Sequence, residues 1–199
     1  EQPEPGPAAE ILLPNDLQIS VWAEGPMVGP PLSMDTDSAG RIWVAESRPT
    51  AEHPSASRII VLEDEDRDGR ADKSHVFIED HALEGPLAIS VFGNRVLAFN
   101  PPHLTVYTDT NENLIFEPEI DKRENILSGF ERGENSGSLQ EIVGGPDGRY
   151  YFGHGRSGAE FKDKNGVNFV MKGLPANGGL EKDENPRDLA NQTSGDGKV

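Results

Sequence analysis

Residues 37–45 read DSAGRIWVA, and the phrase returns twice: residues 92–99 are FGNRVLAF and residues 146–152 are PDGRYYF. The arginines of the three copies, Arg41, Arg95 and Arg149, lie 54 and again 54 residues apart. Each follows Gly, Gly-Asn or Asp-Gly, residues that accept the positive φ of a tight hairpin turn. Each precedes an aromatic or β-branched run suited to a strand. A turn feeding a strand at one fixed period is the mark of a repeat architecture.

A second element recurs between these phrases. Residues 57–64 (SRIIVLED) match residues 103–109 (HLTVYTD), an apolar strand running into an acidic turn. Each unit then closes on a strand with a large apolar residue: residues 76–83 (VFIEDHAL), 125–130 (NILSGF) and 168–174 (NFVMKGL). In the third unit, residues 163–166 (DKNG) supply a plain hairpin turn in place of the acidic loop. Four strands per unit at this period predict an all-β chain with few or no helices: a partial β-propeller of about three four-stranded blades, in units of roughly 30–83, 85–130 and 137–174. Residues 17–24 (LQISVWAE) have the pattern of a closing-type strand, so the propeller-like domain is expected over 12–174. Residues 1–11 form a Pro-rich leader. Residues 175–199 form a polar C-terminal arm or a truncated fourth blade, since GDGKV at 195–199 repeats the turn. An open arc leaves apolar blade faces and strand edges uncovered. Three outcomes follow: a piece of a longer protein, completion by a partner, or coverage by the chain's own tails. A small β-sandwich with accidental periodicity is the alternative fold.

Composition narrows the function. With 18 basic against 35 acidic residues the net charge is −17, which opposes binding to nucleic acid or to an anionic membrane surface. The 22 glycines and 16 prolines favour turns and short strands over long helices. Cysteine is absent, which removes disulfides, thiolate zinc sites, cysteine nucleophiles and covalently attached haem. No apolar run approaches the ~18 residues of a membrane-spanning helix.

Residues 64–72 (DEDRDGRAD) carry the most specific chemical signal. Asp64, Asp66, Asp68 and Asp72 fall at positions 1, 3, 5 and 9 of an EF-hand-type calcium loop, with Gly69 at position 6. The glycine permits the sharp turn that folds carboxylates around one hard cation, and Arg70 offers its backbone carbonyl at position 7. Position 12 is His75 rather than a bidentate Glu, so modest affinity is expected. The alternative is a solvated acidic hairpin tip. Asp109, Asn111, Asn113 and Glu117 form a second such loop at positions 1, 3, 5 and 9, with Leu114 at position 6. It reads as a reshaped cation loop or an Asx-rich turn.

Catalytic signals are thin. The five histidines form no HxxxH pair, and no Gly-rich loop follows a strand and opens a helix. His154 and Arg156, after a predicted strand, are the candidate catalytic pair, against a structural role in a Gly-rich loop. Trp22 and Trp43 sit in strand patterns and are expected in the core, with sugar stacking as the alternative.

Residues 40–47 (GRIWVAES) and 58–73 (RIIVLEDEDRDGRADK) resemble the N-terminal propeller of the membrane-bound dehydrogenase family of planctomycetes and verrucomicrobia. Residues 101–104 (PPHL), 109–111 (DTN) and 129–130 (GF) follow in that family's order. Residues 145–155 (GPDGRYYFGHG) are similar to a turn of the glucose/sorbosone quinoprotein dehydrogenase propellers. The resemblance implies a six-bladed type of propeller, an extracytoplasmic location and sugar oxidation with pyrroloquinoline quinone (PQQ) and calcium. This chain departs from it at residues 134–143 (ENSGSLQEIV), where relatives carry histidine, and at Gly155-Arg156, where related quinoproteins carry Gly-Asp. The expectation is therefore a non-catalytic, periplasmic or otherwise extracytoplasmic, calcium-binding propeller module. It would dock on a larger assembly through its open blade ends, as an extrinsic subunit of a respiratory or photosynthetic electron-transfer complex. The alternatives are the N-terminal fragment of a PQQ-dependent sugar dehydrogenase and a carbohydrate-binding propeller.

Overall fold

The structure is a computed structural model that describes residues 13–54, 56–130, 141–153 and 159–171. Among these residues there are twelve strands and no helix, and every paired neighbour is antiparallel. The expected leader (1–11) and polar arm (175–199) lie outside them.

The first unit is a four-stranded meander in chain order: β1 (Pro31–Thr36), β2 (Ile42–Ser47), β3 (Ala56–Glu63) and β4 (Lys73–Glu84). The second repeats it with β5 (Ala88–Phe92), β6 (Arg95–Asn100), β7 (His103–Thr108) and β8 (Lys122–Ser128). The recurring phrase acts at the first hairpin. Asp37 closes the β1–β2 turn by accepting from Ala39 N (2.9 Å) and Arg41 N (3.0 Å) through one oxygen. Its other oxygen accepts from Arg41 Nε (2.6 Å) and from the Trp43 indole Nε1 (2.9 Å). Burial pushes the Asp37 carboxyl up, but the bonds from Trp43 and Arg41 outweigh it and hold the group below the usual range. In the third phrase Asp147 does the same for Arg149 N (3.1 Å) and the Tyr151 hydroxyl (2.8 Å).

The two meanders stack face to face, with β1 against β5. Trp43, Ile59, Val61 and Phe77 of the first meet Ile89, Val91, Val96 and Tyr107 of the second. Each such side chain contributes roughly 1.5–3 kcal/mol when fully buried. Two side chains of β1 also satisfy the free edge of β5: Ser33 Oγ accepts from Ile89 N (3.0 Å), and Asp35 Oδ2 from Val91 N (2.8 Å). The far face of the second meander, with Leu97, Phe99, Leu104 and Val106, packs on Ile142 and Phe152. Both faces of the middle strands are thus covered, which explains continuous apolar runs such as 59–62 instead of strict alternation.

Residues 17–24 do not form the expected strand. Alternation of Leu17, Ile19 and Val21 fits an extended chain, but a strand needs a ladder partner, and these three side chains are exposed. Instead, Trp22, Ala23, Met27 and Val28 lie over the outer face of the first meander, on Val44, Ile60 and Leu62. Buried Glu46 anchors that segment by accepting from Gly29 N and from Arg58 Nε. This apolar face is therefore covered in its middle by the chain's own N-terminal segment.

The third unit also departs from the expected single blade over 137–174. β9 (Glu141–Gly144) and β10 (Tyr150–Gly153) pair with each other. β11 (Ala159–Asp163) and β12 (Asn168–Met171) form a hairpin that joins β8, giving a six-stranded order β12-β11-β8-β7-β6-β5. Aromatic packing accounts for the choice. Phe161 stacks on Phe130 (5.2 Å between centroids) and on Phe169 (5.4 Å), while Phe130 meets Phe99 edge-on at 4.9 Å. The β8–β11 ladder itself is short, with Ser128 opposite Lys162 and Leu127 opposite Asp163. Gly129, at φ 111°, makes this approach possible, because a Cβ there would lie 2.7 Å from the Glu160 carbonyl oxygen.

Candidate metal centre

The β3–β4 connection is the loop expected to hold a cation. Asp64, Asp66 and Asp72 each present a carboxylate oxygen, and the three atoms lie within 4.8 Å of one another. The backbone draws them together. Asp64 accepts from Asp68 N (3.2 Å) and Gly69 N (3.0 Å), which curls the chain around it. Asp66 accepts from Asp68 N (3.1 Å), and Asp72 reaches back to Glu65 N (2.7 Å). Arg67 (φ 62°) and Gly69 (φ 88°) supply the two left-handed residues this path requires. Asp68 lies outside the carboxylate trio; its Oδ1 caps Arg70 N at 2.9 Å. Next to Arg70, Ala71 N donates to Trp22 O (2.8 Å), tying the loop to the N-terminal segment. His75, at position 12, stands on β4 with Nδ1 3.6 Å from Glu63 Oε1 and takes no place in the trio. An all-oxygen, anionic donor set of this kind suits a hard divalent cation, calcium above all. The residues present therefore fit the metal that the resemblance implies.

The β7–β8 connection builds the same backbone cage, 45 residues later. Asp109 accepts from Asn113 N (3.2 Å) and Leu114 N (2.8 Å), as Asp64 does from its fifth and sixth residues. Asn111 accepts from Asn113 N (3.3 Å) and Asn113 from Ile115 N (2.9 Å). Glu112 (φ 57°) and Leu114 (φ 65°) take the left-handed places of Arg67 and Gly69. A leucine tolerates that conformation here because Leu114 and Phe116 pack into the core between the two meanders, and Phe116 N donates to Phe77 O (2.7 Å). Packing outweighs a left-handed cost of about 1–2 kcal/mol.

Counting to position 9 selects Glu117, but the structure gives the role of Asp72 to Asp121. Asp121 accepts from Thr110 N (2.8 Å) and Glu117 N (2.7 Å) and is buried. Glu117 instead accepts from the side-chain amides of Asn111 (3.0 Å) and Asn113 (2.8 Å). The signal that finds Asp121 is the Asp-Lys pair at 72–73, repeated at 121–122 at the start of the following strand. With two neutral amides bonded to Glu117, the second loop closes on itself; the first loop leaves its carboxylates facing one another.

His154 and Arg156 lie outside the described residues. Trp43 is buried with its ring edge-on to Phe77 (5.0 Å), and Trp22 is half-buried under the first meander, which makes both structural. A shallow cavity of about 420 Å³ between the N-terminal segment and the first meander is lined by Met27, Arg58 and His75. Among the described residues no helix is long and apolar enough to cross a membrane.

A family described as "Domain of unknown function (DUF7133)" matches residues 6–181. No curated protein matches the chain. Among solved structures, one titled "Iodide structure of Trichoderma reesei Carbohydrate-Active Enzymes Family AA12" is similar at 17% identity and a TM-score of 0.42. The match covers 75% of this chain and 36% of that one, so the chain spans little more than a third of that structure's length.

Proposed function

The chain belongs to the DUF7133 family, and we propose that it is a non-catalytic, extracytoplasmic, propeller-type module that binds calcium and docks on other protein through its uncovered sheet ends. One observation carries the calcium reading: the convergence of Asp64, Asp66 and Asp72 within 4.8 Å on a loop whose backbone is already curled for it. Calcium replaces mutual repulsion with shared attraction and ties β3 to β4 and, through Ala71, to residue 22. Its role is to hold the outer edge of the first meander and the N-terminal segment that covers its face. The lack of a glutamate at position 12 places the affinity in the range of extracellular modules, roughly 0.1–1 mM.

The test is thermal unfolding with 10 mM calcium against a chelator, with a calorimetric titration alongside. At roughly 10–100 times the dissociation constant, linkage predicts a stabilisation of about 1.4–2.7 kcal/mol. Asp66→Ala should remove both the shift and the heat. Identical melts with and without chelator, together with no heat of binding, would falsify the calcium reading.

A further inference from the structure

The N-terminal segment is held unequally along its length. Where it enters β1 it is fixed to β2: Gly29 N donates to buried Glu46, and Ser47 N donates to Pro30 O (2.9 Å). Before Gly29, among the described residues, one hydrogen bond ties residues 13–28 to the rest of the chain, from Ala71 N to Trp22 O (2.8 Å). Two hollows border the segment. One of about 260 Å³ is lined by Trp22, Glu24, Arg70 and Ala71, and one of about 420 Å³ by Met27, Arg58 and Val76. A segment held in this way is a strap. It is anchored at Gly29 and Pro30, seated by Trp22, Ala23, Met27 and Val28 on Val44, Ile60 and Leu62, and fastened at Trp22.

The fastener belongs to the first cation loop. Ala71 stands between Arg70, whose carbonyl is the position-7 donor, and Asp72, one of the three converging carboxylates. Ala71 also packs in the same apolar cluster as Trp22. The peptide that joins Ala71 to Asp72 is planar and stiff, so neither residue shifts without the other. Without a cation, three carboxylates within 4.8 Å repel and favour a loop spread at Asp72. A bound cation draws Asp72 inward and holds Ala71 N against Trp22 O.

From this we infer that the strap is a latch coupled to the first loop: calcium closes it over Val44, Ile60 and Leu62, and the closed strap strengthens calcium binding in return. Calcium thus sets how often that apolar face is open. The inference rests on the calcium reading and adds reciprocity to it, since two coupled equilibria must shift each other by the same factor. Met27, which offers no ligand to the loop, becomes a positioning residue for the cation.

The experiment is a calorimetric calcium titration of the full chain, with tryptophan emission recorded in calcium and in chelator. In the parent, calcium should move the emission to shorter wavelength as Trp22 is drawn onto its seat. Trp22→Phe should abolish that shift, because Trp43 is already buried. Met27→Asp places a charge on the apolar seat and should weaken calcium binding by a factor of about 5 or more. It should also hold Trp22 at its chelator-like emission, and Met27→Leu should restore both properties. A Met27→Asp variant that binds calcium as tightly as the parent overturns the inference, because a merely structural role would lower the melt without moving the affinity. Heat of binding in the parent with no shift at Trp22 also overturns it, and leaves the calcium reading standing. Absence of heat in the parent removes the calcium reading and the latch together.

Discussion

Gly129→Ala tests the least expected feature of the fold, the seating of the β11–β12 hairpin on β8. Two costs are separable at this position. The first is conformational: at φ 111° an alanine costs about 1–2 kcal/mol relative to glycine. The second is steric: the new Cβ would lie 2.7 Å from Glu160 O and 3.1 Å from Phe161 Cα, both main-chain atoms that cannot swing aside. The hairpin must back away, and Phe161 loses contact with Phe130, worth roughly 1.5–3 kcal/mol for a buried aromatic side chain. The sum is about 2.5–5 kcal/mol. Gly166→Ala provides the control, since Gly166 has φ 82° and nothing within 4 Å, leaving only the conformational part. Chemical denaturation of both variants reads the difference, and amide hydrogen exchange at Phe161 and Lys162 reads where it acts. Equal losses in the two variants would mean that β11 does not lie across Gly129, and the six-stranded order would be wrong.

Three further outcomes follow from the geometry. Asp37→Asn should flatten the acid limb of stability: the carboxyl is held below its unfolded value, so its contribution is complete above about pH 4 and lost as pH falls through the lower folded value. Urea midpoints at pH 5 and pH 3 should therefore diverge more for the parent than for the variant, and parallel midpoints would remove the role assigned to Trp43 and Arg41. Asp121→Ala should cost about 2 kcal/mol, since it strands the amides of Thr110 and Glu117, whereas Glu117→Gln should cost well under 1 kcal/mol; denaturation midpoints in the reverse order would restore Glu117 as the closing residue. Calcium-dependent melting should be unaffected by Glu117→Gln if the first loop is the site that binds, and loss of the shift in that variant would move the site to the second loop.

How far the sequence foretold these features depends on the range of the interaction that decides each one. The two complete meanders were legible because their hairpins are local: Gly40 and Gly93 take positive φ, and Asp37 bonds within six residues. The first loop was legible for the same reason, as the carboxylate bonds that curl it all form within the loop itself. The third unit was not, because β10 is the local partner for β11 in the chain, and the long-range stack of Phe161 on Phe130 seats β11 on β8 instead. Residues 17–24 have the alternation of a strand, but alternation cannot say whether a ladder partner exists. Asp121 was hidden by counting positions on an EF-hand frame; four inserted residues displaced it, and only the shared entry into β4 and β8 exposes the match.

The reshaped second loop has a wider consequence. In the first unit the acidic tip looks into water, free to lengthen or change its charges. In the second, Leu114 and Phe116 turn the equivalent tip into mortar between two walls, with Phe116 set against both Tyr107 and Phe77. Whatever loosens the cage around Asp109 and Asp121 therefore loosens the joint between neighbouring walls. The same curl is an exposed tip in one place and a structural seam in the other.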